Sequence, residues 1–514
     1  MKINVLSRSL DAHTPARLGD LAPTSRNLDP ALHPFSKPRE YTRALNAAKL
    51  NRLFAKPFVA SLGDGHIDGV YALATDPLRL SALASGSGDG EVRLWDLTQQ
   101  RLVHAFPGAH SGIIQSLAFC PLPAAGPQGG RVLLSCSTDA TIKVWNADPH
   151  PERTGWGGAG EDMESDGEDG KEEEEDGEDG FGEMTAGGDA RRGGLLSMQQ
   201  AERSISEPLS IYTGRTAFNC LTPHAALPHF ASASTSIQIW DLNRAGSSGT
   251  GSEALQTFHW ANDGEAINVV RFNQSEREVL ASTGSDRSVV LYDTRGGKPL
   301  SKMVMRMRAN DLAWSPMEPT TFAVGSEDHN IYTFDMRNLK SATQIYKDHV
   351  AAVMSVSYSP TGQELVSGAY DRTLRLWTLG QGAHSRDVYH TKRMQRIFAT
   401  AFTLDARFVL SGSDDGNVRL WKARASEKLG ILNGREKAAL EYQETLRRKW
   451  AGTADVKRIE KQRNVPKQIK QAQALKRTML ESQRRKEEHR RRHTKKGNSK
   501  PQAARKEAIL AIKE

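Results

Sequence analysis

The chain has 514 residues, of which 38% are hydrophobic, and a formal net charge of +8 at pH 7. No apolar run approaches the roughly 20 residues that cross a bilayer, and the N-terminus lacks the apolar core of a secretory signal, so we expect no membrane partner. The three cysteines, Cys120, Cys136 and Cys220, are too few and too widely spaced for a disulfide framework or a paired-cysteine metal site. A reducing, intracellular compartment is therefore expected.

The charge is distributed unevenly along the chain. Residues 161–183 contain 14 Asp or Glu and one Lys, whereas residues 424–514 contain 27 Lys or Arg and 11 Asp or Glu. The remainder is nearly balanced. This pattern predicts three physically different parts.

The N-terminal 55 residues read as an extension that precedes the folded domain. The segment "KPFVASL" at 56–62 resembles an outermost strand without a sheet of its own. After Trp421 the chain shows no such strand. The N-terminal strand is therefore predicted to complete the last sheet and to close a ring, which removes open edges.

Between these flanks the sequence repeats. Six segments place an Asp six residues before an aromatic residue, as in "SGSGDGEVRLWDL" at 85–97. The six pairs are Asp89 and Trp95, Asp139 and Trp145, Asp286 and Tyr292, Asp328 and Phe334, Asp371 and Trp377, and Asp415 and Trp421. A seventh copy keeps Trp240 but has Ser234 in place of the Asp.

The spacing of these copies indicates the fold. Small and alternating apolar residues predict one strand, the Asp bonds backbone amides in a tight turn, and the next strand ends at the aromatic residue. The last four copies lie 42 to 44 residues apart, which is the WD40 period. We predict an all-β, seven-bladed WD40 propeller over residues 56–423 with a basic α-helical C-terminal tail.

Three histidines precede strands at matching places in the repeats: His66, His110 and His349. In WD40 blades such a His bonds the turn Asp, so we interpret these residues as structural rather than catalytic or metal-binding. His489 and His493 have a metal-like spacing but no Cys pair or carboxylate cluster nearby. We expect neither a cofactor nor a metal.

The acidic insertion, residues 155–205, is Gly-rich and nearly free of aliphatic residues, so it is predicted to be disordered. One interpretation is a solubilising loop. The other is an electrostatic decoy that holds basic partners, or the tail of this chain, until nucleic acid displaces it.

The tail, residues 424–514, is predicted to be helical. An apolar stripe formed by Ile469, Ala472, Leu475 and Met479 stops beyond Glu481, so a partner must order the remainder or it stays flexible.

Its charge is compatible with a solvated face, with nuclear import or with polyanion binding, and the scarcity of aromatic residues favours contact with RNA phosphates over base stacking. The candidate contacts are Arg447, Arg448, Lys449, Lys457, Arg458, Lys461, Arg463, Lys467, Lys470, Arg484, Arg485, Lys486, Arg490, Arg491, Arg492, Lys495 and Lys496.

The flanks resemble one family. "NLDPALHPFSKPREYTRALNAAKLNRLFAKPFVASLGDGHIDGVY" before the first blade, with "EKLGILNGREKAALEYQETLRRKW" and "VKRIEKQRNVPKQIKQAQ" after the last, is similar to WD-repeat proteins of the Sof type. The resemblance implies a component of the nucleolar small-subunit processome that associates with box C/D small nucleolar RNP and is needed to mature 18S ribosomal RNA. Its implied partners are pre-rRNA or snoRNA phosphates and the processome and snoRNP proteins, in the nucleus and nucleolus.

The same family is also linked to cullin-4 ubiquitin ligases as a substrate receptor, which implies contact with the ligase adaptor through a WDxR box. "YDTR" and "FDMR" match that box with Tyr and Phe in place of Trp. Arg295 and Arg337 are therefore the candidate contacts with the ligase adaptor. A surface ion pair would explain the same pattern.

No GxxxxGK[ST] loop, HExxH, GxSxG or CxxC motif occurs, so an enzyme is not expected.

Overall fold

A computed structural model describes residues 34–63, 65–121, 131–147, 207–244, 253–259, 265–495 and 503–513. The acidic insertion and the segment 122–130 lie outside these residues, and the prediction of disorder for the insertion therefore stays a prediction.

The described residues confirm the seven-bladed propeller. Seven antiparallel sheets each contain four consecutive strands of the ring, and the first strand of each blade lines a central channel. Blade one comprises β2 Val70–Thr75, β3 Ala82–Ser87, β4 Val92–Asp96 and β5 Arg101–Phe106; blade two β6 Ile114–Phe119, β7 Val132–Ser137, β8 Thr141–Asn146 and β9 Ser210–Thr213; blade three β10 Cys220–Pro223, β11 His229–Ala233, β12 Ile237–Asp241 and β13 Gln256–Phe258. Blade four comprises β14 Ile267–Phe272, β15 Val279–Gly284, β16 Ser288–Asp293 and β17 Lys298–Met305; blade five β18 Ala309–Trp314, β19 Thr321–Ser326, β20 Ile331–Asp335 and β21 Gln344–Tyr346; blade six β22 Val353–Tyr358, β23 Glu364–Ala369, β24 Leu374–Thr378 and β25 Asp387–Tyr389.

The seventh blade closes the ring with a strand from each end of the propeller. Its strands are β26 Ile397–Phe402, β27 Phe408–Ser413, β28 Val418–Lys422 and the N-terminal strand β1 Phe58–Leu62. Strand β1 pairs antiparallel with β28, as the sequence predicts. The closed ring leaves no open blade at the junction between the two ends.

The repeated aromatic residues form the core between blades. Trp95, Trp145, Trp377 and Trp421 are buried at the ends of third strands. The indole N–H of each donates to the hydroxyl of a Ser on the adjacent second strand at 2.7–2.8 Å, so each ring is buried without an unsatisfied donor.

Helices from both flanks pack together outside the ring. They are α1 Ser36–Leu53, α2 Gly434–Trp450, α3 Ala454–Glu460, α4 Lys467–Arg492 and α5 Ala504–Glu507. Helix α1 packs on α2 and α3, where Ala44, Ala48 and Val456 are fully buried. Tyr41 contacts Trp450 edge to face at 5.5 Å between ring centroids. The N-terminal extension and the tail therefore share one small core.

The tail ends in a strand rather than a helix. Strand β29, Ile509–Lys513, pairs antiparallel with β17 and becomes a fifth strand of blade four. Ala508, Ile509 and Ile512 pack against the core of blades four and five. The helical tail predicted from the sequence is confirmed over α2, α3 and α4, and the last five described residues differ because pairing with the blade edge fixes them in an extended conformation.

Among the described residues, no helix has the length and apolar character needed to span a membrane.

Candidate functional site

The ring has two faces. The upper face carries the turns between second and third strands, around Asp89, Asp139 and Asp371, and the lower face carries the turns between third and fourth strands, around Arg295 and Arg337. Antiparallel order within each blade separates these two sets of turns.

Two blades carry a complete hydrogen-bonded chain from His to Trp. In blade two, His110 Nδ1 lies 3.0 Å from Asp139 Oδ2 and its Nε2 lies 2.7 Å from Ser135 Oγ, which accepts from the Trp145 indole. In blade six, His349 makes the same contacts to Asp371 and Ser367, at 2.9 and 2.7 Å. These histidines hold the upper-face turns in place.

Burial and the hydrogen-bonded partner together determine the ionisation of these groups. It lowers the pKa of His110 and of His349, so both imidazoles are favoured in the neutral form. Burial alone would raise the pKa of Asp371, but interaction with His349 outweighs it and the pKa lies well below the usual range. Asp371 is therefore an ionised carboxylate that is hydrogen-bonded to a neutral His349 imidazole.

Blade one departs from this pattern. His66 Nε2 lies 2.7 Å from Ser85 Oγ, but Nδ1 has no hydrogen-bond partner among the described residues. Blades two and six have Thr two residues after the Asp, and its hydroxyl donates to Oδ1 at 2.6 Å, leaving Oδ2 for the His. Blade one has Glu91 there, which pairs with Arg93 at 2.9 Å. Without that hydroxyl, Asp89 does not bond His66.

The described residues contain one group with possible metal ligands, formed by His66, Asp89 and Glu91. Arg93 already neutralises Glu91, and its positive charge opposes a second cation at the same place. The arrangement gives no support to a metal site.

In blades four, five and seven the turn Asp contacts a different group. Asp286 accepts from Lys302 Nζ at 2.6 Å, Asp328 accepts from the Tyr332 hydroxyl, and Asp415 pairs with Arg419. In these blades, which lack a matching His, the Asp still accepts a hydrogen bond from the backbone N–H two residues later and so holds the turn.

The tail is anchored to the upper face at blade six. Arg463 Nη1 donates to Asp348 Oδ2 at 3.1 Å, and Lys476 Nζ donates to the His349 carbonyl at 2.9 Å. At the outer side of the blade, Arg52 of α1 pairs with Asp387 at 2.8 Å. This role of Arg463 and Lys476 was not predicted from the sequence, because a long-range contact leaves no periodic signal.

Several of the predicted tail cations form ion pairs within the chain. Arg448 pairs with Glu444, Lys449 with Glu40, Arg463 with Asp348, Arg491 with Glu487 and Arg492 with Glu488. All except the Arg463 pair are on the surface, where solvent screens them and leaves them exchangeable for phosphate contacts. Arg463, half-buried on Asp348, is the least available of these cations.

Most of the others are exposed and make no side-chain hydrogen bond or ion pair with described residues. They are Lys457, Arg458, Lys461, Lys467, Lys470, Arg484, Arg485, Lys486, Arg490 and Lys495. Arg447 is half-buried, and Lys496 lies outside the described residues. The free cations extend from α3 to the end of α4 and form the cationic surface of the tail.

On the lower face, the two Asp-x-Arg turns have the same local geometry. The backbone N–H of Arg295 donates to Asp293 Oδ1, and that of Arg337 donates to Asp335 Oδ1, each at 3.0 Å. Both Arg side chains are exposed and form no ion pair with described residues. In these turns the Asp caps the backbone rather than neutralising its Arg.

The fold and these surfaces define a class: a WD-repeat propeller with a helical, cationic tail fixed to its upper face. The family profile described as "WD domain, G-beta repeat" matches residues 57–96, 100–146, 340–378 and 387–422, and the one described as "Sof1-like domain" matches 423–509. The chain is 39% identical to "Protein SOF1" of Saccharomyces cerevisiae over 96% of its own length and 92% of that protein. It is 38% identical, over 100% of both chains, to "DDB1- and CUL4-associated factor 13" of Xenopus laevis and of Homo sapiens. The chain belongs to the family of Sof1-like WD-repeat proteins.

Proposed function

We propose that the protein is a non-catalytic scaffold of ribosome biogenesis in the nucleus and nucleolus. As a component of the small-subunit processome it would associate with box C/D snoRNP and support 18S rRNA maturation. Membership of the Sof1-like family supports this function. The buried histidines His110 and His349 are bonded within their blades, in agreement with a scaffold rather than an enzyme.

The observation that carries the proposal is the cationic surface of the tail. Arg463 and Lys476 attach the tail to the ring, and α4 then presents Arg484, Arg485 and Lys486 to solvent. Phosphate contacts release counterions and give affinity without base specificity. The propeller supplies rigid faces for protein partners while the tail contacts pre-rRNA or snoRNA phosphates.

The test uses the full chain, because the tail shares a core with α1 and cannot be removed without exposing it. Arg484, Arg485 and Lys486 are changed together to Gln, and association with pre-ribosomal particles and 18S rRNA levels are measured. We expect both to fall. The control changes three exposed propeller cations, Arg215, Arg277 and Lys347, to Gln and should leave both unchanged. Equal behaviour of the two variants would remove the tail from the proposal.

A second function is supported by the lower-face arginines. Arg295 and Arg337 are exposed in adjacent blades, and several relatives are named for association with DDB1 and CUL4. The alternative is a substrate receptor of a cullin-4 ligase, in which both guanidinium groups contact the adaptor. Changing Arg295 and Arg337 to Ala should abolish adaptor pull-down, whereas the neighbouring pair Lys298 and Lys340 changed to Ala should not. Unchanged pull-down by the arginine variant would exclude this contact.

A further inference from the structure

Helix α4 carries exposed apolar side chains as well as charge. None of its 26 residues is buried, and only Ile469 and Lys476 are half-buried. Leu475, Met479 and Leu480 are 60%, 59% and 46% exposed. These are large apolar side chains that none of the described residues covers.

The exposed side chains lie on successive turns. Leu475 and Met479 are four residues apart and therefore lie on one face of the helix, which Ala472 extends by one turn towards the N-terminus. We keep the name apolar stripe for its exposed members, Ala472, Leu475 and Met479. Leu480 lies about 100° around the helix from Met479 and is not part of this face. Anchors at such spacing are the feature by which a helix packs against a partner helix or groove.

The helix is also poorly supported by the rest of the molecule. It contacts the ring through the Lys476 ammonium, and beyond that turn every residue up to Arg492 is exposed. Its own stabilisation comes from surface pairs such as Glu487 with Arg491 and Glu488 with Arg492. In proteins, the stability of a helix comes mainly from packing of an amphipathic face, and no part of the chain that the structure describes packs on this one.

The charge around the stripe indicates the character of the missing partner. Residues 467–481, the part of α4 that carries the stripe, contain four Lys or Arg and one Glu, so an acidic surface complements it. RNA phosphates would satisfy the cations but would leave Leu475 and Met479 in water. An acidic protein helix satisfies both, since its apolar face buries the stripe and its carboxylates meet the flanking cations.

We propose that the apolar stripe of α4 is the docking site for an acidic amphipathic helix of a partner protein. This surface is separate from the phosphate contacts proposed for Arg484, Arg485 and Lys486, and it does not depend on them. Helix α4 then has two functional parts: a protein-binding part near the ring and an RNA-binding part at its distal end.

The binding test uses the full chain and three fluorescein-labelled probes, measured by fluorescence anisotropy. The first is a synthetic 21-residue helix with Leu at i, i+3, i+4 and i+7 and Glu at the flanking positions. The second has the same composition in scrambled order, and the third is an RNA stem-loop. Two variants are compared with the parent chain: Leu475→Ser with Met479→Ser, and Arg484→Gln with Arg485→Gln and Lys486→Gln.

We expect the parent chain to bind the patterned helix at least tenfold more tightly than the scrambled one. The Ser variant should lose that preference while binding the RNA within about twofold of the parent. The Gln variant should weaken RNA binding and keep the preference for the patterned helix. All the changed residues are exposed on a helix outside the propeller, and circular dichroism of each variant checks that the ring stays folded.

Three outcomes would overturn the inference. Equal binding of the patterned and scrambled peptides would show attraction by charge alone. A preference that survives in the Ser variant would place the peptide elsewhere. Weaker RNA binding by the Ser variant, with unchanged peptide binding, would assign the stripe to RNA. Failure of the separate RNA proposal would appear instead as unchanged RNA binding by the Gln variant.

A crosslinking experiment tests the same inference in cells. A benzophenone amino acid placed at Leu475 or Met479 should form protein adducts that map to an acidic helical segment, and the control at Arg477, on the opposite side of α4, should not. RNA adducts at 475 and 479, or the absence of adducts at both, would contradict a protein partner.

Discussion

Arg463 of the tail donates to the carboxylate of Asp348, at 3.1 Å, although the two residues are 115 positions apart. The Asp348 side chain is only 3% exposed and also accepts from His384 and from the backbone and hydroxyl of Ser385. Burial alone would raise the pKa of Asp348, but these bonds outweigh it and the pKa is lowered. A charged group in the wall of the ring thus holds the start of the tail.

Replacing Arg463 by Ala should therefore loosen the tail without unfolding the propeller. Asp348 keeps its other donors, so we expect the free energy that holds the tail to the ring to fall by about 1.5–3 kcal/mol, as for one hydrogen bond to a charged group. Hydrogen exchange should become faster in α4, while the strands of blade six should stay protected.

Arg477→Ala is the matched control for this change. Arg477 pairs with Glu481 on the surface, where the Arg side chain is 81% exposed. We expect an effect below about 0.5 kcal/mol and unchanged exchange in α4. If the two variants behaved alike in exchange, Asp348 would not be the anchor.

His66 should make stability dependent on pH. Burial, with a smaller contribution from Arg93, lowers its pKa to about 4, whereas an unfolded His titrates near 6.5. The unfolded chain therefore binds the proton first as the pH falls. The stabilisation is complete above about pH 6.5 and decreases towards pH 4, by roughly 2 kcal/mol between pH 7.5 and pH 5.

The measurement is the urea midpoint of the parent chain and of His66→Gln at both pH values. The variant loses the Ser85 contact and should be less stable at pH 7.5, but its decrease on acidification should be smaller by roughly 2 kcal/mol. Equal decreases in both proteins would mean that His66 does not bind the proton on unfolding. The comparison at pH 7.5 separates lost packing from the proton-linked term.

Strand β29 should be held to blade four mainly by two side chains. Ile509 and Ile512 are half-buried against the core of blades four and five, whereas Leu510 and Ala511 are exposed. Changing Ile509 and Ile512 to Asp should release the strand, with a loss of roughly 2–3 kcal/mol in its local unfolding free energy. Faster amide exchange in β17 and β29 would report the release.

The control carries the same two charges on the other side of the strand. Leu510→Asp with Ala511→Asp should leave exchange in β17 close to that of the parent. Release also exposes the edge of β17, so the Ile509 and Ile512 variant should form concentration-dependent oligomers in light scattering. Slow exchange in both variants would show that backbone pairing alone retains the strand.

The ring could be predicted from sequence because its chemistry repeats. In each repeat the Asp marks a hairpin turn, and the aromatic residue six positions later marks a buried core position. Four copies spaced 42 to 44 residues apart give the length of a blade. Closure by β1 could be predicted by counting strands. The sequence has one outer strand before the first blade that belongs to no blade there, and the last blade lacks an outer strand of its own after Trp421. These features depend on local spacing.

The features that were missed depend on single distant partners. Nothing local in "ILAIK" indicates that it pairs with an edge some 200 residues earlier. Similarly, the His motif of blade one matches those of blades two and six, but Glu91 replaces the Thr that orients the turn Asp. Arg463 counts as one cation among 27 in the tail until the fold places Asp348 beside it.

RNA binding by the full chain should depend steeply on salt. Each phosphate contact contributes roughly 0.7–0.9 to the slope of log affinity against log salt concentration. Changing Arg484, Arg485 and Lys486 to Gln should therefore reduce the slope by roughly 2–3, if all three contact phosphates. The measurement is anisotropy of an RNA stem-loop between low and moderate salt.

The Arg215, Arg277 and Lys347 variant removes the same net charge from the propeller and is the control for this slope. It should weaken binding slightly through the overall field while keeping the parent slope, because a distant charge does not displace a counterion from the bound RNA. Substituting bases within the stem should change affinity little, since the proposed phosphate contacts carry no base information and α4 has no Phe, Tyr or Trp on which a base could stack. A strong dependence on base sequence, or equal slopes for the two variants, would contradict phosphate contact by the distal part of α4.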